Sequence, residues 1–168
     1  SNPGASACST NLCSPGRYSR VSGSPDALCE LCEAGKTGPA GATNADTCTS
    51  CEPGKFAPTR GSPLCIDCPP GKYVNTSGSI MCDSCSAGTF SVNPGESTST
   101  KCVQCDPGFY STSGQSVCSS CPVGRFQPGF KASSCDLCPV GKASDLVEQT
   151  SPSVCQYCPP GRFSAEKG

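Results

Sequence analysis

The stretch CEPGKFAPTRGSPLCIDCPPGKYVNTSGSIMCDSC, residues 51–85, holds the fold of the whole chain. It contains one unit twice over. A cysteine is followed three residues later by glycine, two residues beyond that by an aromatic ring, and then by a C-x-x-C pair that closes one unit and opens the next. Across the 168 residues the C-x-x-C pair occurs eight times: Cys29/Cys32, Cys48/Cys51, Cys65/Cys68, Cys82/Cys85, Cys102/Cys105, Cys118/Cys121, Cys135/Cys138 and Cys155/Cys158. Internal repetition of this kind decides architecture before any local propensity does. Glycine follows three residues after the second cysteine of every pair, and after Cys13 as well; the aromatic follows as Tyr18, Phe56, Tyr73, Phe90, Tyr110, Phe126 and Phe163, with Thr37 and Ala143 as departures.

Composition explains why such a unit is needed. Cysteine makes up 18 of 168 residues, a density that belongs to disulfide scaffolds of oxidising compartments. Leu, Ile, Val and Phe together number 23, too few for an ordinary hydrophobic core. The repeat glycine permits a positive-φ turn beside sulfur, and the ring offers each coreless unit one large group to pack. Further turn signals, "RGSP" at 60–63, "TSGS" at 76–79 and "TSGQS" at 112–116, precede the returning cysteine. The expected fold is small, disulfide-rich and mostly irregular or β: an elongated rod of tandem hairpins with no helix and no globular core. A connector, residues 1–12, precedes about nine repeats over 13–168, the last incomplete.

A longer period lies over the short one. Cys32, Cys85 and Cys138 each open a longer loop and are spaced by 53 residues, so three units are expected to form one super-repeat.

Spacing alone leaves the cysteine partners open among three arrangements. Hairpin closure would join Cys13–Cys29, Cys32–Cys48, Cys51–Cys65, Cys68–Cys82, Cys85–Cys102, Cys105–Cys118, Cys121–Cys135 and Cys138–Cys155. It leaves Cys8 and Cys158 for an inter-chain bond or for a partner beyond the segment, at about 171 or 172 for Cys158 on the 53-residue pattern. Joining Gly168 to Ser1 would also bring those two cysteines to a loop-like spacing, which suits a head-to-tail filament. Zinc held by paired C-x-x-C motifs is the second arrangement, and bonding inside each C-x-x-C, as in redox proteins, is the third.

Several function classes are disfavoured. With no histidine there is no Ser-His-Asp or Cys-His arrangement and no imidazole metal site, so no catalysis, cofactor or metal is expected. Twelve scattered basic and 13 acidic residues give a net charge of −1, which makes neither a nucleic-acid footprint nor an anionic-membrane one. No apolar run reaches the length of a membrane span, and SNPGASACST reads as mature or internal sequence rather than an export signal. "GKT" at 35–37 lacks the rest of a phosphate-binding loop. Arg17, Lys36, Lys55, Lys72, Arg125, Lys142 and Arg162 follow the repeat glycine, while Glu30, Asp67, Asp83 and Asp136 sit inside C-x-x-C; a solvated face is the favoured reading over an electrostatic seam. Asn75-Thr76-Ser77 is an N-glycosylation acceptor, and Ser-Pro steps at 14–15, 24–25, 62–63 and 151–152 read as turns before they read as O-glycan sites.

The quoted stretch resembles the ephrin-receptor-like cysteine-rich repeat, and its half-unit is similar to the single-disulfide hairpin module of tumour necrosis factor receptors. The likeness covers nearly everything from Cys13 to Phe163; it departs at Thr37, at Ala143 and at CSTNLC, Cys8 to Cys13. The resemblance favours hairpin closure and implies secretion, an elongated rod, and a part in adhesion, surface coats or receptor ectodomains, without catalysis. The function expected first is an extracellular structural repeat forming a rod, coat or fibre subunit that associates with itself or other extracellular proteins. The alternative is a receptor or adhesion ectodomain binding a protein through its variable loop tips, 92–100 and 143–154.

Overall fold

A computed structural model describes residues 13–20 and 28–159. These form eight antiparallel two-stranded sheets, each from two-residue strands adjacent in sequence. The strand pairs are β1 (Arg17–Tyr18) with β2 (Glu30–Leu31), β3 (Lys36–Thr37) with β4 (Thr49–Ser50), β5 (Lys55–Phe56) with β6 (Ile66–Asp67), and β7 (Lys72–Tyr73) with β8 (Asp83–Ser84). They continue as β9 (Thr89–Phe90) with β10 (Val103–Gln104), β11 (Phe109–Tyr110) with β12 (Ser119–Ser120), β13 (Arg125–Phe126) with β14 (Asp136–Leu137), and β15 (Lys142–Ala143) with β16 (Gln156–Tyr157). No α-helix occurs among the described residues. The chain divides into two compact units, residues 1–67 with 74–82, and residues 68–73 with 83–168. All eight strand pairs lie within one unit or the other.

Each hairpin begins with the same turn. In SPGR, EPGK, PPGK and DPGF the fourth N–H donates to the first carbonyl, as in Arg17 to Ser14 at 3.1 Å and Lys55 to Glu52 at 3.0 Å, and the glycine has φ near +80°. Proline followed by positive-φ glycine is the signature of a type II turn. The first strand leaves this turn, and the two residues between the cysteines of C-x-x-C are the return strand. The next opening cysteine is then tied back: Cys32 N–H donates to Gly16 C=O, and Cys51, Cys85, Cys105, Cys121, Cys138 and Cys158 donate to Gly35, Gly71, Gly88, Gly108, Gly124 and Gly141.

The bridges are Cys13–Cys29, Cys32–Cys48, Cys51–Cys65, Cys85–Cys102, Cys105–Cys118, Cys121–Cys135 and Cys138–Cys155, each closing one hairpin with Cα atoms 5.6–5.8 Å apart. Cys68 and Cys82 are disulfide-bonded as well. Neither thiolate-bound zinc nor closure within C-x-x-C describes these cysteines, because their sulfurs are already joined across the hairpins.

The core differs from a core of rings. The rings lie on the first strands and are half-buried, whereas the opening cysteines, Cys13 through Cys138, are at most 2% exposed. Beside them are buried the small residues just after the ring position: Ser19, Gly38, Ala57, Val74, Ser91, Ser111 and Ser144. That residue's carbonyl is bonded to the preceding hairpin, and Gln127 is the half-buried exception at this position, its carbonyl accepting from Gly108. Gly35 N–H donates to Ala57 C=O at 2.8 Å, Gly88 to Ser111 at 2.8 Å, and Gly124 to Ser144 at 2.8 Å.

A reciprocal bond completes each junction. The N–H of a second, later turn donates to the opening cysteine of the hairpin before it: Gly41 to Cys13, Gly61 to Cys32, Gly78 to Cys51, Gly95 to Cys68, Gly114 to Cys85, Lys131 to Cys105 and Glu148 to Cys121. All seven donors have positive φ. The carbonyl side of this turn reaches one hairpin further. The place a side chain would take on Gly35 is filled by the Gly78 carbonyl, that on Gly71 by Gly114, and that on Gly88 by Lys131. Each hairpin within a unit therefore touches its next-but-one neighbour as well as its next, which a purely nearest-neighbour stack would not do.

Every third hairpin carries an additional element. Short 3-10 turns occur at Ala45–Thr47, Ser99–Lys101 and Pro152–Val154, in the hairpins opened by Cys32, Cys85 and Cys138, with Asn44, Thr98 and Ser151 accepting at their N-caps. The same three hairpins pair in parallel with the ring position before them, at Tyr18–Ala42, Tyr73–Glu96 and Phe126–Gln149.

Candidate interaction surfaces

Among the described residues most thiols are engaged in disulfides. Among the described residues, Cys158 is the free thiol, half-buried, and no group of three His, Cys, Asp or Glu side chains is arranged to hold a metal. Its backbone N–H is bonded to Gly141 just as the other opening cysteines are bonded to their glycines. Cys8, Arg162 and Phe163 lie outside the described residues. The GKT stretch is part of a hairpin: Gly35 spends its N–H on Ala57, and Lys36 and Thr37 form β3.

The two ringless hairpins differ. At Thr37 the hydroxyl is buried without a hydrogen-bond partner. In the Ala143 hairpin no ring takes the place; the exposed Tyr157 of the return strand faces Lys142, whose Nζ lies 4.5 Å from its ring centre.

Among the described residues the charged register forms no continuous seam. Strand register sets Lys55 opposite Asp67, and the two pair at 2.7 Å. Arg17, by contrast, faces Leu31, Lys36 faces Ser50, Lys72 faces Ser84, and Arg125 faces Leu137. Glu30 instead accepts from Tyr18 Oη at 2.6 Å and pairs with Arg20 at 3.1 Å. These pairs are exposed, where an ion pair contributes little. The hydrogen bond to Glu30 holds the Tyr18 phenol above its ordinary value, and the bond to Asp67 does the same for the Lys55 ammonium.

The loop tips remain as surfaces. In 92–100, Val92 is exposed, and Asn93 donates to Glu96 across the turn at 3.3 Å. In 143–154, Leu146 and Val147 are exposed beside the turn residue Glu148, whose φ is +60°. Asn75 is exposed immediately after buried Val74, and the hydroxyls of Thr76 and Ser79 bond each other at 2.9 Å across the loop that carries it. The second turn was legible in the sequence at 60–63, 76–79 and 112–116, and was missed where glycine does not mark it. Its glycines stood in the turn motifs, but Lys131 and Glu148 at the same place gave no hint of positive φ.

No helix of the described residues is long and apolar enough to cross a membrane. No curated protein sequence matches the chain. The family model described as "Tyrosine-protein kinase ephrin type A/B receptor-like" matches residues 38–80 and 108–155, more than half of the chain. Both segments begin and end inside hairpins of the kind described above. That family is a non-catalytic extracellular module, in keeping with thiols that are bridged rather than reactive and with a disulfide density suited to the outside of the cell. The chain belongs to the ephrin-receptor-like family of cysteine-rich repeats.

Proposed function

We propose that this chain is an extracellular structural repeat, a rod that serves as spacer, coat or fibre subunit. The observation that carries the reading is the double tie at each junction. One hairpin's glycine donates to the next, and the next hairpin's second turn donates back to the first's opening cysteine, so that neighbouring hairpins within a unit are held in a fixed step. Repetition of one step is how solenoids build extended bodies without a central core. Residues 13–168 act as the repeat array, residues 1–12 as its connector, and three hairpins as its period. Cys8 and Cys158 join chains or bond outside the segment, and Asn75 carries an N-linked glycan. Electron microscopy of native material tests the reading: regular fibres or extended rods are expected, and compact particles would overturn it. Non-reducing peptide mapping that finds Cys8 and Cys158 free would remove the inter-chain part alone.

A second reading is favoured by the exposed apolar side chains Val92, Leu146 and Val147 at the longest loops. There the chain is a receptor or adhesion ectodomain that binds an extracellular protein through tips 92–100 and 143–154. Single rods, and loss of ligand capture on exchange of either tip, distinguish it from a fibre subunit.

A further inference from the structure

A cavity of about 230 Å³ lies within the unit of residues 68–73 and 83–168, lined by Tyr73, Ser86, Thr89, Ser99, Cys102 and Lys131. It is smaller than the roughly 300–1,000 Å³ of pockets for drug-sized ligands; its scale is that of one sugar ring. Lys131 is the only charged residue of the lining; the Ser86 and Ser99 hydroxyls can each donate or accept, and the Thr89 hydroxyl can accept. The Thr89 hydroxyl is oriented by donation to Ser86 C=O at 2.7 Å.

Lys131 is the telling member. It occupies the second-turn position, with φ +58°, where five other hairpins have Gly41, Gly61, Gly78, Gly95 and Gly114. The backbone work at this position is the bond to Cys105 and the carbonyl over Gly88, and glycine does the corresponding work elsewhere without strain. The fold therefore asks for no side chain here. Glu148 has the same backbone conformation outside the cavity, so what sets Lys131 apart is that it lines a cavity bordered by hydroxyl residues and carries an ammonium on a flexible stem.

We propose that this cavity binds a carboxylated monosaccharide unit of the uronic-acid type. Lys131 meets the carboxylate in a charge-assisted bond, Ser86, Thr89 and Ser99 meet ring hydroxyls, and Tyr73 walls one side. The inference rests on the extracellular placement of the chain and not on its forming a fibre, so microscopy and binding fail independently.

The test is a titration of the full oxidised chain, ¹⁵N-labelled, with sodium glucuronate, with glucose and sodium acetate as comparators. Saturable shifts at residues 86, 89, 99 and 131 are expected, with a dissociation constant on the order of 1 mM for so small a ligand. Glucose, lacking charge, and acetate, lacking hydroxyls, should bind at least about tenfold more weakly. Lys131→Gly should lose roughly tenfold or more, as should Lys131→Gln, which keeps the backbone strain but not the charge. Glu148→Gly, which relieves the equivalent strain one hairpin later outside the lining, should bind as the parent does. No saturation with glucuronate, equal binding of acetate, or undiminished affinity in both Lys131 variants would overturn the proposal.

Discussion

A hydrogen in place of a side chain decides more at Gly88 than any apolar group does. Its φ of +81° disfavours other residues, and the Lys131 carbonyl occupies the space into which a methyl group would project. Gly141 has nearly the same φ, +78°, but nothing within 4 Å of that space. Gly141→Ala should therefore cost only the left-handed strain of about 1–2 kcal/mol, while Gly88→Ala adds a backbone clash and should cost roughly 2–5 kcal/mol. Denaturation with disulfides intact, followed by amide exchange at each mutated hairpin, compares the two; equal losses would mean the carbonyl contact is unimportant. Tyr18 gives a test in pH. Its folded value is raised above the ordinary 10.0 by the bond to Glu30. Any stability linked to that bond is fully present below pH 10.0 and is lost as pH rises through the folded value. Glu30→Gln should move the Tyr18 ring titration, followed by NMR, to lower pH, and an unmoved midpoint would remove the bond from the account.

A single hairpin is a cystine, a type II turn and two residues of ladder, too little to stand alone. Removing the cystine in Cys85→Ser/Cys102→Ser frees a 17-residue separation, for which chain entropy gives a loss of about 3 kcal/mol. The Gly88 and Gly114 amides, which tie this hairpin to the next, should lose exchange protection first. Uniform loss over the whole unit would show the hairpins to be less independent than this. Hairpins were legible in sequence because Pro-Gly turns and recurrent cysteines admit few other structures. The core was less so. Ser19, Ala57, Ser91 and Ser111 are ordinary loop residues until the backbone bonds between hairpins bury them beside the cystines, and the rings proved to be half-buried strand residues. Lys131 and Glu148 were hidden for the opposite reason: glycine announces positive φ and lysine does not.

For the molecule entire, covalent sulfur replaces the oily interior that 23 large aliphatic and phenylalanine side chains cannot build. Full reduction without denaturant should abolish amide protection throughout, and zinc added to the reduced chain should not restore it; recovery of structure on adding metal would revive the thiolate alternative. The bridges also settle how the chain responds to being pulled. Tension entering at Cys13 crosses to Cys29 through sulfur, runs two residues to Cys32, and crosses again to Cys48, so the intervening loops never bear load. In each bridged hairpin the slack is shunted out of the mechanical path. The reach of such a strand is therefore capped by its sulfur path until a reductant arrives, and cutting one cystine releases one loop's length and no more.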